Sequence, residues 1–300
     1  MSRSEHARGG PSRLAGLVGS GIGPSRTPFM HEAEGAAQGF AYVYRRIDLD
    51  VLGLGPADLG DILRWAERLG FDGLNVTHPC KQAVIAQLDD LAPAAEAIGA
   101  VNTVVLANGR RIGHNTDGTG FLEAFRRGLP EVARDRVVLL GAGGAGAAVA
   151  WALLRAGVRE LLLFDLDRMR AEALAARMAG RFAAARVALA QDLASALARA
   201  DGLVNATPVG MAAYPGSPVP VELLRPALWV AEIVYFPLET ELLRAARAAG
   251  CRTLDGSGMA VFQAVEAFRL FTGHEPDIAR MHRHFAAAAE SFDANRGEGS

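Results

Sequence analysis

The chain has 300 residues, more than one hydrophobic core usually serves, so two domains are expected. Half of the residues are apolar, and the formal net charge of −2 disfavours nucleic acid as the main partner, because phosphate binding requires a basic face. The two cysteines provide no disulfide framework, and no stretch reaches a membrane-spanning length. These features predict a cytoplasmic protein without a membrane partner. Residues 1–13 are polar and predict a disordered tail rather than a secretory signal, and residues 290–300 are expected to be equally loose.

Alternating strand and helix patterns in the first part of the chain predict an α/β domain built on a parallel sheet. The predicted strands are 14–18, 40–47, 74–77 and a hairpin of 101–106 with 110–114, and the predicted helices are 29–38, 56–69, 79–88 and 92–98. Loops that follow parallel strands gather at one edge of the sheet, so Ser25, Thr27, Thr77 and Lys81 are expected there. Thr27 is a candidate N-cap with Pro28 at the first helical position, but capping needs only one hydroxyl. Ser25 and Thr27 together could instead hold an anionic group at the helix N-terminus.

Lys81 is the only lysine of the chain, and every other residue among the 31 Lys and Arg is an arginine. A single lysine among so many arginines favours a role that a guanidinium cannot perform. Arginine stays protonated in proteins, whereas an amine can lose its proton when it is buried or lies near other charges. The alternative is a surface lysine without function. The position after a predicted strand, where open α/β sheets place their chemistry, favours the functional interpretation.

The second half of the chain carries a dinucleotide-binding pattern. A predicted buried strand, 136–140, is followed at once by the run Gly141, Ala142, Gly143, Gly144, Ala145 and Gly146, and then by an alanine-rich helix to residue 155. The next strand, 161–164, ends at Asp165, roughly twenty positions after the glycines. The glycines permit a tight turn and the approach of a pyrophosphate to the helix N-terminus, and the acid can bind a ribose 2′-hydroxyl. The complete strand, turn, helix, strand and acid context disfavours the alternative of a glycine-rich packing turn.

Asp165 also indicates which dinucleotide binds. A carboxylate at this strand end binds a 2′-hydroxyl and repels a 2′-phosphate, so NAD is the expected cofactor. Arg168 and Arg170 follow on the next predicted helix and could support NADP only by folding back. NADP therefore remains possible.

The remaining elements continue an alternating pattern that predicts a doubly wound sheet. The predicted helices are 119–127, 168–178, 193–200, 240–249 and 261–271, and the predicted strands are 187–190, 229–235 and 253–254. Residues 203–211 are predicted to be a strand that opens into a loop. Asp117 lies where the hairpin gives way to the first of these helices, so it falls at the seam between the two domains. Its plainest alternative role is that of an N-cap. Clefts between domains concentrate small-molecule sites, so Lys81 and Asp117 facing a nicotinamide would make a proton-relay pair for alcohol oxidation. This chemistry needs no metal.

From about residue 14 to 284 the sequence resembles the shikimate/quinate dehydrogenase family. The resemblance rests on the order and spacing of several blocks: Ser25-Arg26-Thr27-Pro28 with His31, Asn75 to Lys81, Ala100 to Thr103, Asn115 to Gly118, Gly141 to Gly146, Asn205 to Met211, Tyr235 to Thr240, and Gly258-Met259 with Gln263-Ala264. The resemblance implies an α/β fold with two domains. The N-terminal α/β substrate domain would comprise 14–116 plus 259–288, because the helices after Met259 return to it, and a Rossmann-type doubly wound domain would comprise 117–258.

The resemblance also implies a role for individual residues. Lys81 and Asp117 would form the catalytic pair, and Ser25 and Thr27 would bind the substrate carboxylate. The residues that would bind or orient the ring substituents are Thr77, Asn102, Tyr235 and Gln263. Those that would line the nicotinamide end of the cofactor are Asn205, Thr207, Pro208, Gly210, Met211, Gly256 and Met259.

Two blocks depart from the pattern of the usual biosynthetic members. Ser25-Arg26-Thr27 stands where they carry Ser-x-Ser, and Asp165-Leu166-Asp167 stands where they carry Asn-Arg-Thr. At both blocks, and at His78, the sequence is similar to the NAD-using quinate/shikimate branch of the family. The expected activity is therefore an oxidoreductase that transfers a hydride between NAD and a ring hydroxyl of quinate and/or shikimate, giving 3-dehydroquinate or 3-dehydroshikimate.

Other interpretations remain open. The alternatives within enzymology are an NADP-dependent biosynthetic shikimate dehydrogenase and an aminoshikimate-type dehydrogenase. A non-catalytic dinucleotide-binding sensor is less favoured, because such a protein is expected to have lost Lys81 or Asp117. The expected partner is a small-molecule hydroxy acid, and the chain is expected to act as a monomer or a homodimer.

Overall fold

A computed structural model describes the backbone of residues 12–297 and the side chains as far as residue 288. The strands are β1 (Arg13–Gly19), β2 (Tyr42–Asp48), β3 (Gly73–Val76), β4 (Asp90–Leu91), β5 (Thr103–Ala107), β6 (Arg110–His114), β7 (Arg136–Leu140), β8 (Glu160–Phe164), β9 (Arg186–Leu189), β10 (Gly202–Asn205), β11 (Trp229–Glu232) and β12 (Thr253–Leu254). The α-helices are α1 (Thr27–Ala37), α2 (Leu49–Leu52), α3 (Leu59–Arg68), α4 (Pro93–Ile98), α5 (Thr116–Gly128), α6 (Gly144–Arg155), α7 (Arg168–Arg181), α8 (Leu193–Ala198), α9 (Glu241–Ala248), α10 (Ser257–Thr272) and α11 (Ile278–Gly297). Short 3-10 helices cover Pro56–Asp58, Ala83–Gln87 and Val221–Leu223. None of the helices within residues 12–297 has the length and apolar character needed to cross a membrane.

Residue contacts divide the chain into two units. The first comprises the described residues up to Leu91, Val101–His114 and the residues from Ala264 onward, and the second comprises Ala92–Ala100 and Asn115–Gln263. Helix α10 therefore contributes its first part to the second unit and its remainder to the first.

The first unit is built on a mixed sheet in the order β2-β1-β3-β5-β6-β4. Strand β1 pairs in parallel with β2 and with β3, whereas β5 runs antiparallel to both β3 and β6. Aromatic side chains fill one face of the sheet near β2, where Tyr42 and Tyr44 pack with Phe40, Phe268 and Phe271. The last two of these come from α10, which explains why residues distant in sequence belong to this core.

A buried ion pair ties α1 to α11 within the first unit. The fully buried carboxylate of Glu34 accepts two hydrogen bonds from the Arg280 guanidinium, at 2.6 and 2.8 Å, and one from the Asp277 backbone N–H at 2.9 Å. Burial alone would raise the pKa of Glu34, but hydrogen bonds from Arg280, Asp277 and Gln38 outweigh it and lower that pKa. The Glu34 carboxylate is therefore a buried charge whose stabilisation depends on the Arg280 guanidinium.

The second unit is built on a wholly parallel sheet in the order β12-β11-β10-β7-β8-β9. This is the order of a doubly wound dinucleotide-binding fold, in which the first strand, here β7, lies centrally. Strands β8 and β9 are added on one side of β7, and β10 to β12 are added on the other. The core is dominated by small and aliphatic side chains of α6 and the central strands. The predicted Rossmann-type architecture is confirmed.

Helix α4 lies with the second unit, whereas the sequence placed residues 92–100 in the substrate domain. Arg177 of α7 donates to the Ile98 carbonyl at 2.9 Å. The same guanidinium covers Gly99, where an added Cβ would lie 1.5 Å from Arg177 Nη1. These long-range contacts explain the difference from the predicted boundary.

Several predicted elements differ from the observed ones. The predicted helix 79–88 is wrong, because the chain forms a turn and then the 3-10 helix Ala83–Gln87, and the predicted helix 56–69 begins with a separate 3-10 turn. Strand β4, helix α2 and the extent of α11 were not predicted. Helix α11 continues to Gly297, so the predicted loose end at 290–300 is wrong for that part, and 298–300 lie outside the described residues. Of the predicted tail, residues 1–11 also lie outside them, whereas Arg13 already begins β1 and binds Asp72.

Replacing Arg280 is expected to destabilise the first unit strongly. Arg280→Ala leaves the Glu34 carboxylate buried without its partner, which costs about 3–5 kcal/mol. Arg64→Ala is the control in the same unit, because the exposed pair of Arg64 with Asp61 contributes no more than about 1 kcal/mol. Urea unfolding followed by circular dichroism measures both variants. Equal losses of stability in the two variants would contradict this account of Glu34.

Candidate active site

The loops that follow β1 and β3 lie against each other in the first unit. A Cβ on Gly19 would lie 2.3 Å from Thr77 Cγ2, so only glycine permits this approach. The Ser20 N–H donates to the His78 carbonyl at 2.9 Å, and the Thr77 N–H donates to the Val18 carbonyl at 2.9 Å. The two loops that carry the predicted substrate-binding residues of the first unit therefore start side by side.

Ser25 and Thr27 stand at the entry to α1. The interpretation of Thr27 as N-cap is wrong, because Thr27 is itself the first helical residue and Arg26 occupies the cap position without a side-chain cap hydrogen bond. Ser25 Oγ accepts a long hydrogen bond of 3.4 Å from the Thr27 N–H, and Arg46 donates to the Ser25 carbonyl at 2.9 Å. Helix capping therefore does not account for this pair of hydroxyls.

Lys81 lies in the turn after β3. The Cys80 N–H closes the turn on the Thr77 carbonyl at 2.8 Å, and the Lys81 carbonyl accepts from the Val101 N–H at 2.8 Å. Cys80 is fully buried beneath the turn, and burial raises the pKa of its thiol. A reactive-thiol role for Cys80 is therefore disfavoured, while the half-buried Lys81 is fixed by its backbone at the end of a central strand.

A buried amide network positions Asn102 beside this turn. Asn75 donates to Thr103 Oγ1 at 2.9 Å and accepts from the Tyr44 hydroxyl at 2.6 Å. Thr103 in turn donates to Asn102 Oδ1 at 3.2 Å, and the Asn102 backbone bridges β3 and β6. The sequence assigned no role to Asn75, although a polar residue inside an apolar strand is the signal that indicates one.

Asp117 lies in the first turn of α5 in the second unit. The N-cap of this helix is Asn115, whose side chain accepts from the Gly118 N–H at 2.9 Å and donates to the Ala100 carbonyl at 2.9 Å. The alternative interpretation of Asp117 as N-cap is therefore wrong. Asp117 is only 6% exposed and lies in the first turn of the helix, after its cap.

The glycine-rich run turns from β7 into α6 as predicted. Gly141 has a φ of +92°, and a Cβ there would lie 2.7 Å from the Ala206 carbonyl oxygen. A Cβ on Gly146 would lie 2.0 Å from the Gly141 carbonyl oxygen, so this glycine lets the helix pack on the turn. Gly143 caps α6 without a side chain, and nothing lies within 4 Å of its missing Cβ. Together with Gly144 and Ala145, this leaves an uncovered helix N-terminus suited to a phosphate.

Asp165 ends β8 next to this turn. One of its oxygens accepts from the Ala142 N–H at 2.6 Å and the other from the Asp167 N–H at 2.8 Å. Arg168 pairs with Glu172 at 2.8 Å, and Arg170 pairs with Asp167 at 3.3 Å. The carboxylate thus lies where a ribose is expected, and both neighbouring guanidinium groups are paired with other acids.

Asn205 is fully buried at the end of β10, where its side chain organises the loop that follows. Its Oδ1 accepts from the Thr207 N–H and hydroxyl at 3.0 and 2.7 Å, and its Nδ2 donates to the Val209 carbonyl at 2.9 Å. Asn205 therefore fixes Thr207 and Val209 in the loop that carries the predicted cofactor-binding residues Thr207, Pro208, Gly210 and Met211.

Glu232 was missed by the sequence reasoning. This acid ends β11, is 1% exposed, and accepts from Asn205 Nδ2, the Val234 N–H and the Thr240 hydroxyl at 2.9 to 3.2 Å. Burial raises the pKa of Glu232 to about 7, against the lowering effect of these hydrogen bonds. The signal in the sequence is a lone acid at the end of the apolar strand Trp229–Glu232.

The remaining predicted residues of the second unit follow β11 and β12. Tyr235 comes three residues after the end of β11 in sequence and is 39% exposed. Gly256 packs so closely on the Ile233 and Val234 carbonyls that an added Cβ would lie 2.6 and 2.5 Å from their oxygens. Gln263 donates to the Ala260 carbonyl at 2.9 Å within α10, and Met259 is buried in the core. Among the described side chains, no group of three or more His, Cys, Asp or Glu residues could hold a metal ion.

Comparisons with known proteins give a consistent result over the chain. Family models match it as "Shikimate dehydrogenase substrate binding domain" at residues 17–104, "Shikimate / quinate 5-dehydrogenase" at 123–211 and "Shikimate 5'-dehydrogenase C-terminal domain" at 256–284. The shikimate dehydrogenase (NADP(+)) of Streptomyces avermitilis is 61% identical over 280 residues, which cover 93% of this chain and 96% of the relative. The quinate/shikimate dehydrogenase (NAD(+)) of Corynebacterium glutamicum strain R is 54% identical over 278 residues, which cover 91% of this chain and 98% of the relative.

A solved structure also matches the chain. The quinate dehydrogenase from Corynebacterium glutamicum in complex with NAD superimposes with a TM-score of 0.87 at 51% identity, covering 92% of this chain and 99% of that one. The predicted α/β fold, with an N-terminal substrate-binding domain and a Rossmann-like dinucleotide-binding domain, is confirmed.

The raised pKa of Glu232 predicts how stability varies with pH. Because the folded-state pKa of about 7 lies above the ordinary value of 4.5, its contribution is fully present below pH 4.5 and is lost as the pH rises through about 7. The loss is on the order of 3 kcal/mol. Glu232→Gln cannot ionise, so its unfolding free energy should lack this decline. Urea unfolding of both proteins between pH 5 and pH 8 measures the difference, and parallel curves would contradict the assignment.

Proposed function

The chain belongs to the shikimate/quinate dehydrogenase family of NAD(P)-dependent oxidoreductases that act on hydroxyl groups, and from that premise we propose that it transfers a hydride between NAD and a ring hydroxyl of quinate and/or shikimate. The products of oxidation would be 3-dehydroquinate and 3-dehydroshikimate. The observation that carries the choice of NAD is the Asp165 carboxylate beside the glycine-rich turn. The names of the relatives do not decide it, because they include both NADP-dependent and NAD-dependent enzymes.

The preference for NAD follows from charge. A carboxylate beside the helix N-terminus can accept a hydrogen bond from a ribose 2′-hydroxyl and repels a 2′-phosphate. A 2′-phosphate would need a guanidinium in its place, and Arg168 and Arg170 are already paired with Glu172 and Asp167. NADP-dependent shikimate oxidation is the second candidate, and the relative from Streptomyces avermitilis favours it.

We propose Lys81 and Asp117 as the catalytic pair. In the oxidation direction, the neutral amine of Lys81 would take the proton of the substrate hydroxyl, and Asp117 would accept a hydrogen bond from the same hydroxyl and orient the ammonium that forms. Bound NAD supplies the hydride acceptor. Two observations support this assignment: Lys81 is the only lysine of the chain, and helix capping, performed by Asn115, does not account for Asp117.

The remaining residues would hold the substrate. Ser25 and Thr27 at the start of α1 suit the carboxylate, because hydroxyls and a helix N-terminus both favour an anion. The side chains proposed for the ring substituents are Thr77, Asn102, Tyr235 and Gln263. A cytoplasmic location completes the proposal and agrees with the two cysteines, which are both free.

Steady-state kinetics tests the function directly. Quinate and shikimate are each offered with NAD⁺ and with NADP⁺, and reduced cofactor is followed by absorbance. The proposal expects the highest kcat/KM with NAD⁺ on at least one of the two acids. A preference for NADP⁺ with shikimate supports the second candidate instead. Absence of turnover with every combination would refute both.

Lys81 variants test the acid/base assignment. Lys81→Ala and Lys81→Arg are expected to lower kcat by roughly 10²–10⁴-fold, because removing a positioned acid/base commonly has that effect. The affinity for NADH should stay nearly unchanged, since the cofactor binds the other unit. Arg110→Ala, which removes an exposed cation of the first unit, serves as the control and should retain wild-type turnover. An active Lys81→Arg enzyme would overturn the assignment.

Asp165 variants test the cofactor choice. Asp165→Ser removes the repulsion of a 2′-phosphate, so the ratio of kcat/KM for NADP⁺ to that for NAD⁺ should rise about ten-fold or more, equivalent to ~1.4 kcal/mol. Asp192→Ser is the matched control, because it removes an exposed carboxylate that follows the neighbouring strand β9. An equal change in both variants would show that the effect is not specific to Asp165.

A further inference from the structure

Glu232 is a buried acid at the carboxyl edge of the second sheet that the proposed chemistry does not use. It ends β11 next to β10, and its neighbour across the pair of strands is Asn205. An ionisable group in such a dry position is costly unless its oxygens are fully hydrogen-bonded. The contacts that Glu232 makes should therefore explain why it is there.

Its side chain joins two loops. The β10 loop (206–211) is held through Asn205 Nδ2, which lies 2.9 and 3.0 Å from the two oxygens of Glu232 and also donates to the Val209 carbonyl at 2.9 Å. The β11 loop (233–240) is held at both of its ends, by the Val234 N–H at 3.0 Å and by the Thr240 hydroxyl at 3.2 Å. One carboxylate thus fixes the start of one loop and both ends of the other.

The two loops also touch each other and a third segment directly. Gly210 of the β10 loop has a φ of +107°, and a Cβ there would lie 3.2 Å from Thr240 Cγ2 and 3.6 Å from Glu232 Oε2. The start of the β11 loop packs on Gly256 with no room for a side chain. A displacement of Glu232 would therefore move the β10 loop, the β11 loop and the entry to α10 together.

We propose that Glu232 is a positioning residue for the nicotinamide end of the dinucleotide, which acts by holding the β10 loop and the β11 loop in place and does not touch the cofactor. The inference rests on the proposed function, in which the β10 loop and Gly256 line the nicotinamide. The adenosine and pyrophosphate parts would bind at the glycine-rich turn and Asp165, with which Glu232 makes no hydrogen bond among the described residues. The effect of Glu232 should accordingly be confined to one end of the ligand.

A carboxylate suits this position because all of its partners are donors. Its two oxygens accept from an amide, a backbone N–H and a hydroxyl at the same time. A glutamine of the same length keeps one acceptor oxygen and places an NH2 group against the Asn205 or Thr240 donor. Alanine leaves the amide of Asn205 and the Val234 N–H without this acceptor in a buried site.

The experiment compares two ligands that differ only at the proposed end. Binding of NADH and of ADP-ribose, which lacks the nicotinamide, is measured by calorimetry for the wild type, Glu232→Ala and Glu232→Gln. Glu232→Ala is expected to weaken NADH binding about ten-fold, which corresponds to the loss of one hydrogen bond to a charged group. The same variant should leave the affinity for ADP-ribose within about two-fold of that of the wild type. Glu232→Gln should fall between the wild type and the alanine variant. In turnover, the KM for the dinucleotide should rise more than the KM for the hydroxy acid.

Glu160→Ala is the matched control. Glu160 is also a largely buried acid of the same sheet, but it begins β8 and so lies at the opposite edge, where it forms ion pairs with Arg136 and Arg186. Glu160→Ala should lower the stability of the protein and leave the ratio of the NADH affinity to the ADP-ribose affinity unchanged.

If Glu232→Ala does not fold, Thr240→Val takes its place, because this variant removes the hydroxyl contact with Glu232 and keeps the acid. Thr240→Val is expected to weaken NADH binding less than Glu232→Ala does, by about three-fold.

The outcomes separate the inference from the proposed function. A loss of NADH affinity with ADP-ribose affinity retained supports the positioning role. Equal losses for both ligands, or no loss for either, overturn it, because a merely structural role would not distinguish the two ends. If the wild type shows no turnover with quinate or shikimate, the proposed function fails, and the comparison of the two ligands still decides the role of Glu232.

Discussion

Buried backbone groups at the strand ends must find hydrogen-bond partners, and in this protein buried asparagine side chains supply them. The Asn75 side chain donates to the Asn102 carbonyl, and the Asn115 side chain joins the start of α5 to the Ala100 carbonyl. The Asn205 side chain binds the Thr207 N–H and the Val209 carbonyl of the β10 loop. An asparagine offers a donor and an acceptor on a short side chain, so it can replace a regular backbone partner where the chain leaves the sheet. Each lies within three residues of a residue predicted to bind substrate or cofactor or to act in catalysis, so the functional loops depend on these amides.

The same arrangement explains why a costly acid is retained at Glu232. Three of the groups around it are donors, and an apolar residue there would leave them unsatisfied. Its raised pKa shows that burial outweighs these hydrogen bonds near neutral pH, so the acid does not maximise stability. An acid whose ionised form is disfavoured by burial, yet which is hydrogen-bonded to two loops, fits a positioning role better than a packing role.

Much of the fold could be predicted from the sequence because its signals are local. The glycine-rich run between β7 and α6, the acid after β8 and the hairpin of 101–106 with 110–114 each follow from short-range backbone chemistry, and the structure has all three. The errors arose where distant partners decide the outcome. The Lys81 carbonyl, in the turn that replaces the predicted helix 79–88, accepts from the Val101 N–H, and the Ile98 carbonyl at the end of α4 accepts from Arg177. A local helix pattern reveals neither partner. Among the candidate site residues, the sequence predicted those with a distinctive motif and gave no role to Asn75 or Glu232, whose hydrogen-bond partners are visible only in the structure.

In the proposed function, the Asp165 side chain serves both the structure of the glycine-rich turn and the choice of cofactor. Its carboxylate binds the Ala142 N–H inside the glycine-rich turn and also the Asp167 N–H that leads into α7. Both bonds fix the acid against the turn before any dinucleotide arrives, so its charge is presented in one place rather than on a mobile side chain. Exchanging this acid for a neutral residue would remove a repulsion and also release the turn. A change of cofactor in this chain therefore requires more than a new charge: the replacement must also accept from Ala142, or the pyrophosphate site loses its shape together with its preference.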